Sequence, residues 1–229
     1  KKDELIAEDS KSAEIIRPLL RGRDIKRYSY DFADLYIITT FPSLKIEIEQ
    51  YPAIKEHLMG FGYDRLKQTG EKNSRKKTNN KWFEIQDSIS YWEDFYKQKI
   101  VWKIIGDQMA FSIDSDNFIV NNACYILTGK DLEYLVAILN SKIIKWYSYL
   151  TNMNKTGVGD MQVGAQNVVL FPVPILSEYE KKPFNTIVDE ILKNKKSGKN
   201  MENLEHEVNK LVYNLYGITK EEVGFIEFQ

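Results

Sequence analysis

Apolar residues recur at three- and four-residue steps along several stretches of the chain, and each stretch predicts a helix with one buried face. Leu132, Leu135, Val136, Leu139, Ile143, Trp146 and Leu150 make the strongest stripe, predicting one helix over Asp131–Leu150. Phe184, Ile187, Val188, Ile191 and Leu192 make a second, and Met201, Leu204, Val208, Leu211 and Leu215 a third. Ser197-Gly198 separates these two, so they read as an antiparallel helical hairpin. Thr219–Glu222 has capping-box spacing and predicts a further short helix. Nearer the N-terminus, Pro52 sits at a first-turn position, and Ile54, Leu58, Phe61 and Leu66 follow on one side of Tyr51–Gln68. Elsewhere the pattern is that of strands. Lys99–Ile105, Met109–Asp114, Phe118–Val120 and Cys124–Thr128 are short β signals separated by Gly, Asp and Asn, which predicts a small curled sheet. Tyr28–Phe41 reads as a hairpin turning across Asp31–Asp34, and Trp82–Ile85 and Val168–Phe171 as single strands. Ala13–Arg27, with Pro18 and Gly22, reads as turn-rich, and Phe171–Pro174 as extended. Tyr91, Trp92, Phe95 and Tyr96 have helical spacing and serve a core or offer a ring for stacking. The expected fold is α+β: a curled mixed or antiparallel β domain with flanking helices over residues 1–176, then a helical region built on a hairpin over 177–229.

Composition narrows the class. With 229 residues, 43% of them hydrophobic and 13% aromatic, the chain can build a sizeable core and is not a disordered protein. Its formal net charge of −1 excludes a uniformly basic coat, so any nucleic-acid surface must come from clustering of cations. The single Cys124 excludes an intrachain disulfide, and with only His57 and His206 a zinc site is not expected. No apolar run is long enough to cross a bilayer, and no signal peptide precedes the first element, so a soluble cytoplasmic protein is expected. The opening residues KKDELIAEDSKSAE lack a Met and read as mid-chain sequence, which implies a domain of something longer.

Charge is where the chain becomes specific. Asp64–Lys81 holds Arg65, Lys67, Lys72, Arg75, Lys76, Lys77 and Lys81 against only Asp64 and Glu71. Beside Asn79, Asn80 and Trp82 this can sit on phosphates, where cations release counterions and Asn or Arg reads base edges two-pronged. An ordinary solvated loop is the other reading, and the cluster taken alone favours it. A second cationic stretch, Arg17, Arg21, Arg23, Lys26 and Arg27, opposes only Glu14 and Asp24. The polar, Gly-rich Thr151–Gln166 offers Asn152, Asn154, Lys155 and Gln162.

Catalytic signatures are missing. Gly159–Gly164 has P-loop glycine spacing, but Ala165 and Gln166 stand where Lys and Ser/Thr would grip phosphate and magnesium. There is no GxSxG and no HExxH. Asp24-Ile-Lys26 and Glu180-Lys-Lys182 have the acid-x-Lys spacing of some metal-dependent nucleases, but so short a match is expected by chance in so charged a chain, and Glu47 and Glu49, alternating along IEIEQ, fit a solvated edge. No catalytic, cofactor-binding or metal-binding residue is assigned in this chain.

Taken in order, IIRPLLRGRDIKRY (Ile15–Tyr28), NNKWFEIQ (Asn79–Gln86), KIVWKII (Lys99–Ile105), YLVAILNSKIIKWY (Tyr134–Tyr147), FPVPIL (Phe171–Leu176) and LEHEVNKLVYNLYGITKEEV (Leu204–Val223) resemble the TaqI-like C-terminal specificity domain. That domain occurs in adenine-specific DNA methyltransferases and single-chain type IIG restriction–modification enzymes, and it is similar to the target-recognition domains of type I specificity subunits. The resemblance implies double-stranded DNA as partner, with a separate domain of the parent chain binding S-adenosylmethionine, carrying an Asn-Pro-Pro-Tyr-type motif and methylating adenine N6. This chain has no Pro-Pro pair, so methyl transfer, and any Mg2+-dependent cleavage by a fused endonuclease, belongs to the methyltransferase or endonuclease part outside it. The fragment would clamp the duplex while the other domain handles a flipped adenine. Arg21, Arg23, Lys26 and Arg27 then either contact DNA or pair with internal acids. Arg75, Lys76 and Lys77 are expected on phosphates or in a groove, Asn79, Asn80 and Lys81 at base edges, and Lys155 and Gln162 from the Gly-rich loop, with Trp82 as a strand anchor. Rival readings are a protein-interaction module acting through the C-terminal hairpin, and a nuclease using Asp24, Glu47 or Glu180.

Overall fold

The acidic start of the chain coils into α1 (Lys2–Glu8), whose Leu5 is buried, and Asp9 then caps a 3-10 turn by accepting from the Lys11 amide. This computed structural model describes residues 1–151 and 161–228. Next comes β1 (Ile16–Leu20), a strand where the sequence pointed to turns. Pro18 is tolerated because bonds to the neighbouring strand come from alternate residues. Leu19 N donates to Leu35 O and Thr39 N to Ile15 O, so the missing N–H of Pro18 faces away from that partner. The expected hairpin across Asp31–Asp34 does not form. Instead β2 (Ile25–Lys26) and β3 (Ser29–Tyr30) pair around Arg27-Tyr28, and β4 (Tyr36–Ile38) pairs with β1, Arg17 opposite Ile37. The turn is earlier because Tyr28 is buried: its N donates to Phe111 O, and its φ of 58° places it in the left-handed region.

α2 (Pro52–Met59) and α3 (Tyr63–Leu66) take up the Tyr51–Gln68 pattern, broken at Gly60–Gly62, where Gly62 has a φ of 92°. Trp82–Ile85 is a turn and not the strand expected. Glu84 accepts from the Lys81 amide at 2.7 Å, and Glu84 N returns to Lys81 O, which folds the chain back on itself. Contacts divide the chain into two units, Lys1–Leu19 with Asp34–Tyr96 and Leu20–Ala33 with Lys97–Gln229. The first is built on Leu5, Ile15, Ile16, Ile48, Tyr51, Ile54 and Phe83.

The second unit opens on the β signals as expected: β5 (Lys99–Lys103), β6 (Ile105–Gly106), β7 (Phe111–Asp114), β8 (Ile119–Val120) and β9 (Cys124–Thr128). β5 lies between β7 and β9, antiparallel to both, with Ile100 opposite Ile113 on one side and Leu127 on the other. The single helix expected over Asp131–Leu150 is two, α4 (Leu132–Leu139) and α5 (Lys142–Leu150). Buried Asn140 leaves the helix to act as a strand edge for β7, its Oδ1 accepting from Phe111 N at 3.0 Å and its Nδ2 donating to Phe111 O at 2.9 Å. Ser141 then caps α5. Asn140→Ala should cost about 2 kcal/mol in urea unfolding, because Phe111 N is left buried and unpaired; a loss near zero would mean the helix break has another cause.

β10 (Met161–Gln162) pairs with β6, and the strand expected over Val168–Phe171 is instead the end of α6 (Ala165–Val168) and the turn after it, because Val169 N turns back to Ala165 O and Phe171 N to Val168 O. The Phe171–Pro174 segment is held by hydroxyls, Tyr134 donating to Pro174 O and Tyr216 to Pro172 O. α7 (Glu178–Lys196), α8 (Glu202–Leu215) and α9 (Lys220–Glu227) follow, with Ser197-Gly198 and the Thr219 capping box where the sequence put them. The stripes of α7 and α8 are buried: Val188, Ile191, Val208 and Val212 share one core with Phe111, Val136 and Ile138. Buried Asn209 of α8 accepts from Lys142 N at the start of α5, satisfying a first-turn donor. The architecture is α+β with small open sheets, in agreement with the sequence. Among the described residues no helix is long and apolar enough to cross a membrane.

Candidate nucleic-acid interface

Cations gather in the second unit where the Arg21–Asp24 turn lies against the ends of β5 and β9. Gly22 makes this possible, since a Cβ there would sit 3.2 Å from Ala123 O and 3.3 Å from the Lys103 side chain. The result is an open groove of about 630 Å³ lined by Arg21, Gly22, Arg23, Lys103 and Asn121 to Ala123. Asn121 orders the turn between β8 and β9. Its N donates to Leu20 O, and its Oδ1 accepts from Ala123 N. The side chains of Asn122 and Arg23 are exposed and make no hydrogen bond or ion pair to described residues, and Lys103 is balanced by Asp107 at 3.0 Å. Lys103, Asn121 and Asn122 were not singled out from sequence. The signal was there, an Asn-Asn pair between two strands, but it read as a spacer.

Arg21 has a different task. Its Nε and terminal nitrogen donate to the buried carboxylate of Asp24 at 2.9 and 2.7 Å, and its own backbone N donates there as well. These hydrogen bonds from Arg21 hold the Asp24 carboxyl below its usual range. A depressed carboxylate pKa means the clamp stabilises the fold above the unfolded value near pH 3.9 and is lost as pH falls through the folded pKa. Asp24→Asn should therefore be less stable than the parent at pH 6, with the gap closing as pH falls below the unfolded value near 3.9. Urea midpoints across that range measure it, and a constant gap would refute the assignment. Arg27 is also paired, with Glu205 at 3.0 Å, while Lys26 is exposed and reaches only Arg23 O at 3.4 Å. Gln162 is half-buried in β10 opposite Ile105. Asn152, Asn154 and Lys155 lie outside the described residues.

The basic loop belongs to the first unit and is internally built. Arg75 Nε donates to Leu66 O at 2.6 Å, a terminal nitrogen donates to Trp82 O, and burial lowers its pKa without discharging it. Asn80 Nδ2 donates to Ile85 O and Gln86 O at 2.8 and 3.0 Å. Lys81 reaches Ile46 O and Glu47, and Lys67 is shared between Asp64 and Glu71. What remains exposed and without a partner among the described residues is Arg65, Lys72, Lys76, Lys77 and Asn79. Trp82 packs at the edge of the first core, ring on ring with Phe83.

The acids weighed for a nuclease are each engaged. Asp24 holds Arg21, Glu47 faces Lys81, and Glu180 accepts from Ser177 as the cap of α7. No group of three His, Cys, Asp or Glu side chains that could hold a metal occurs among the described residues. Burial pushes the Cys124 thiol up to about 12, so it stays protonated at neutral pH and is no nucleophile.

The chain is thus α+β, with an open groove beside Arg23 in one unit and a loop of exposed lysines in the other. Residues 17–173 match the TaqI-like C-terminal specificity domain, and the chain belongs to that family of restriction–modification specificity domains. Over 215 residues it is 25% identical to the type II methyltransferase M.MjaIV of Methanocaldococcus jannaschii, covering 90% of this chain and 69% of that protein. Its fold superposes on the type IIL restriction-modification enzyme MmeI, solved in complex with DNA, with a TM-score of 0.63 and 16% identity. That likeness covers 99% of this chain but only 32% of the MmeI chain.

Proposed function

We propose that the chain reads a specific double-stranded DNA site for a restriction–modification enzyme and presents it to a methyltransferase domain outside these residues. The observation that carries the reading is the set of exposed, unengaged groups. Arg23 and Asn122 sit on the groove of one unit, and Lys72, Lys76, Lys77 and Asn79 on the loop of the other. Free Lys and Arg suit phosphates, and free Asn suits an adenine edge. On this reading residues 1–176 are the target-recognition domain, and the helical region of 177–229 is a spacer or a docking surface for the rest of the enzyme. In the parent protein S-adenosylmethionine supplies the methyl group, and adenine N6 accepts it. Mg2+ enters only where an endonuclease is fused.

The test is selection from a randomised duplex pool by the full 229-residue chain. Enrichment of one short site, weakened by Arg23→Ala with Asn122→Ala, supports the reading. Binding with no enriched site, or no binding, refutes it. The adenine assignment is tested separately, by incubating the parent protein with labelled S-adenosylmethionine and the selected duplex. Label on any base other than adenine overturns it.

A further inference from the structure

Between α2 and α3 the first unit exposes an apolar tip that the reading above does not use. Met59, Phe61 and Tyr63 are 42%, 51% and 49% exposed within one tight turn, alternating with Gly60 and Gly62. Single exposed rings need no explanation, but large apolar side chains concentrated at one protruding turn do. The turn is held from below: Phe61 N donates to Leu58 O at 3.0 Å and Gly62 N to Met59 O at 2.8 Å. Gly62, at a φ of 92°, takes a conformation that side-chain-bearing residues avoid, and a Cβ there would meet nothing within 4 Å. The tip is therefore narrow on either side of the Phe61 ring, which rests edge-on against His57 at 5.2 Å.

The tip is also fastened to the lysine loop. The Tyr63 ring lies 6.0 Å from that of Trp82, and the carbonyls of Leu66 and Lys67 accept from the Arg75 side chain and backbone. Exposed Arg65, Lys72, Lys76 and Lys77 thus stand on chain that is bonded to the segment carrying Phe61 and Tyr63. Cations beside an apolar point complement a duplex in particular, where phosphates flank the stacked bases. A protein partner for a bare apolar patch would gain nothing from this rim.

We propose that the Met59–Tyr63 turn is a wedge that presses Phe61 between base steps of the bound duplex, bending or unstacking it, while Lys72, Lys76 and Lys77 hold the flanking phosphates. This rests on the DNA-binding reading and adds to it a residue that deforms the site, contributing specificity through deformability where no base edge is touched.

The experiment uses the full chain and the duplex it selects, labelled at both ends for energy transfer and carrying 2-aminopurine at successive positions. Wild type should shorten the end-to-end distance and brighten 2-aminopurine at one step. Phe61→Ala should lose both signals and bind about tenfold more weakly with an unchanged salt slope. Phe61→Trp should keep both. Equal signals from wild type and Phe61→Ala would overturn the wedge while leaving DNA binding intact. Failure of wild type to bind any duplex would refute the DNA reading itself and the wedge with it. Loss of self-association in Phe61→Ala, with DNA deformation unchanged, would assign the tip to a protein contact and overturn the proposal.

Discussion

Lys99→Met should lower the unfolding free energy by about 3–5 kcal/mol, the scale for stranding one member of a buried ion pair. Lys99 and Asp114 are register partners on β5 and β7, their side chains are fully buried, and the ammonium lies 2.5 Å from the carboxylate. Asp114 also accepts from the amides of Asp116 and Phe118, so its charge shapes the turn leading to β8. Without the lysine, the buried Asp114 carboxylate loses its ion-pair partner and keeps the amides of Asp116 and Phe118. Asp114→Leu on its own should be equally costly, since it leaves the ammonium and two amides. The pair replaced together by Met and Leu should recover part of the loss, because neither charge then has to be desolvated. Urea unfolding of the singles and the double closes the cycle. A loss under about 1 kcal/mol for Lys99→Met would mean that the pair is hydrated in solution.

The second large effect separates cations that look alike in sequence. Lys72→Ala, Lys76→Ala and Lys77→Ala combined should flatten the log–log salt dependence of duplex binding by about 2.7, since each phosphate contact contributes about 0.9. Near 0.1 M salt this amounts to weakening on the order of a hundredfold. Unfolding should move by no more than about 0.5 kcal/mol, because these side chains are exposed and make no hydrogen bond or ion pair to described residues. Arg75→Ala should do the reverse. It frees the carbonyls of Leu66 and Trp82, costs on the order of 1–3 kcal/mol, and affects binding only as far as it loosens the loop. A lysine variant that binds like wild type would remove the loop from the DNA surface. An arginine variant as stable as wild type with a flattened slope would make Arg75 a contact after all.

The contrast between Arg75 and its lysine neighbours shows what periodicity and composition can and cannot reach. Positive charge was legible at once, and so was its concentration over Asp64–Lys81. Which charges are free was not, because a cation's partner can be a carbonyl or carboxylate far along the chain. Arg27 finds Glu205 on α8, and Lys81 finds Ile46 and Glu47. The groove was equally invisible as a unit. Arg23 was noticed for its charge, whereas Lys103 and Asn122 join it only because Gly22 lets the Arg21–Asp24 turn approach β5 and β9.

By itself the sequence determined the class of fold, the central β signals of residues 99–128, the stripes and stops of α7 to α9, and membership of the specificity-domain family. These rest on local rules: apolar spacing selects helix or strand, and Ser197-Gly198 and the Thr219 capping box act within one turn. Tertiary structure alone decided the β2–β3 turn and the break between α4 and α5. A buried Tyr28 bonded to Phe111 fixes the β2–β3 turn, and a buried Asn140 bonded to the same residue splits a continuous apolar stripe into α4 and α5. In each case a backbone group of β7 needs a partner, and supplying it is worth more than the local helix or hairpin preference it overrides.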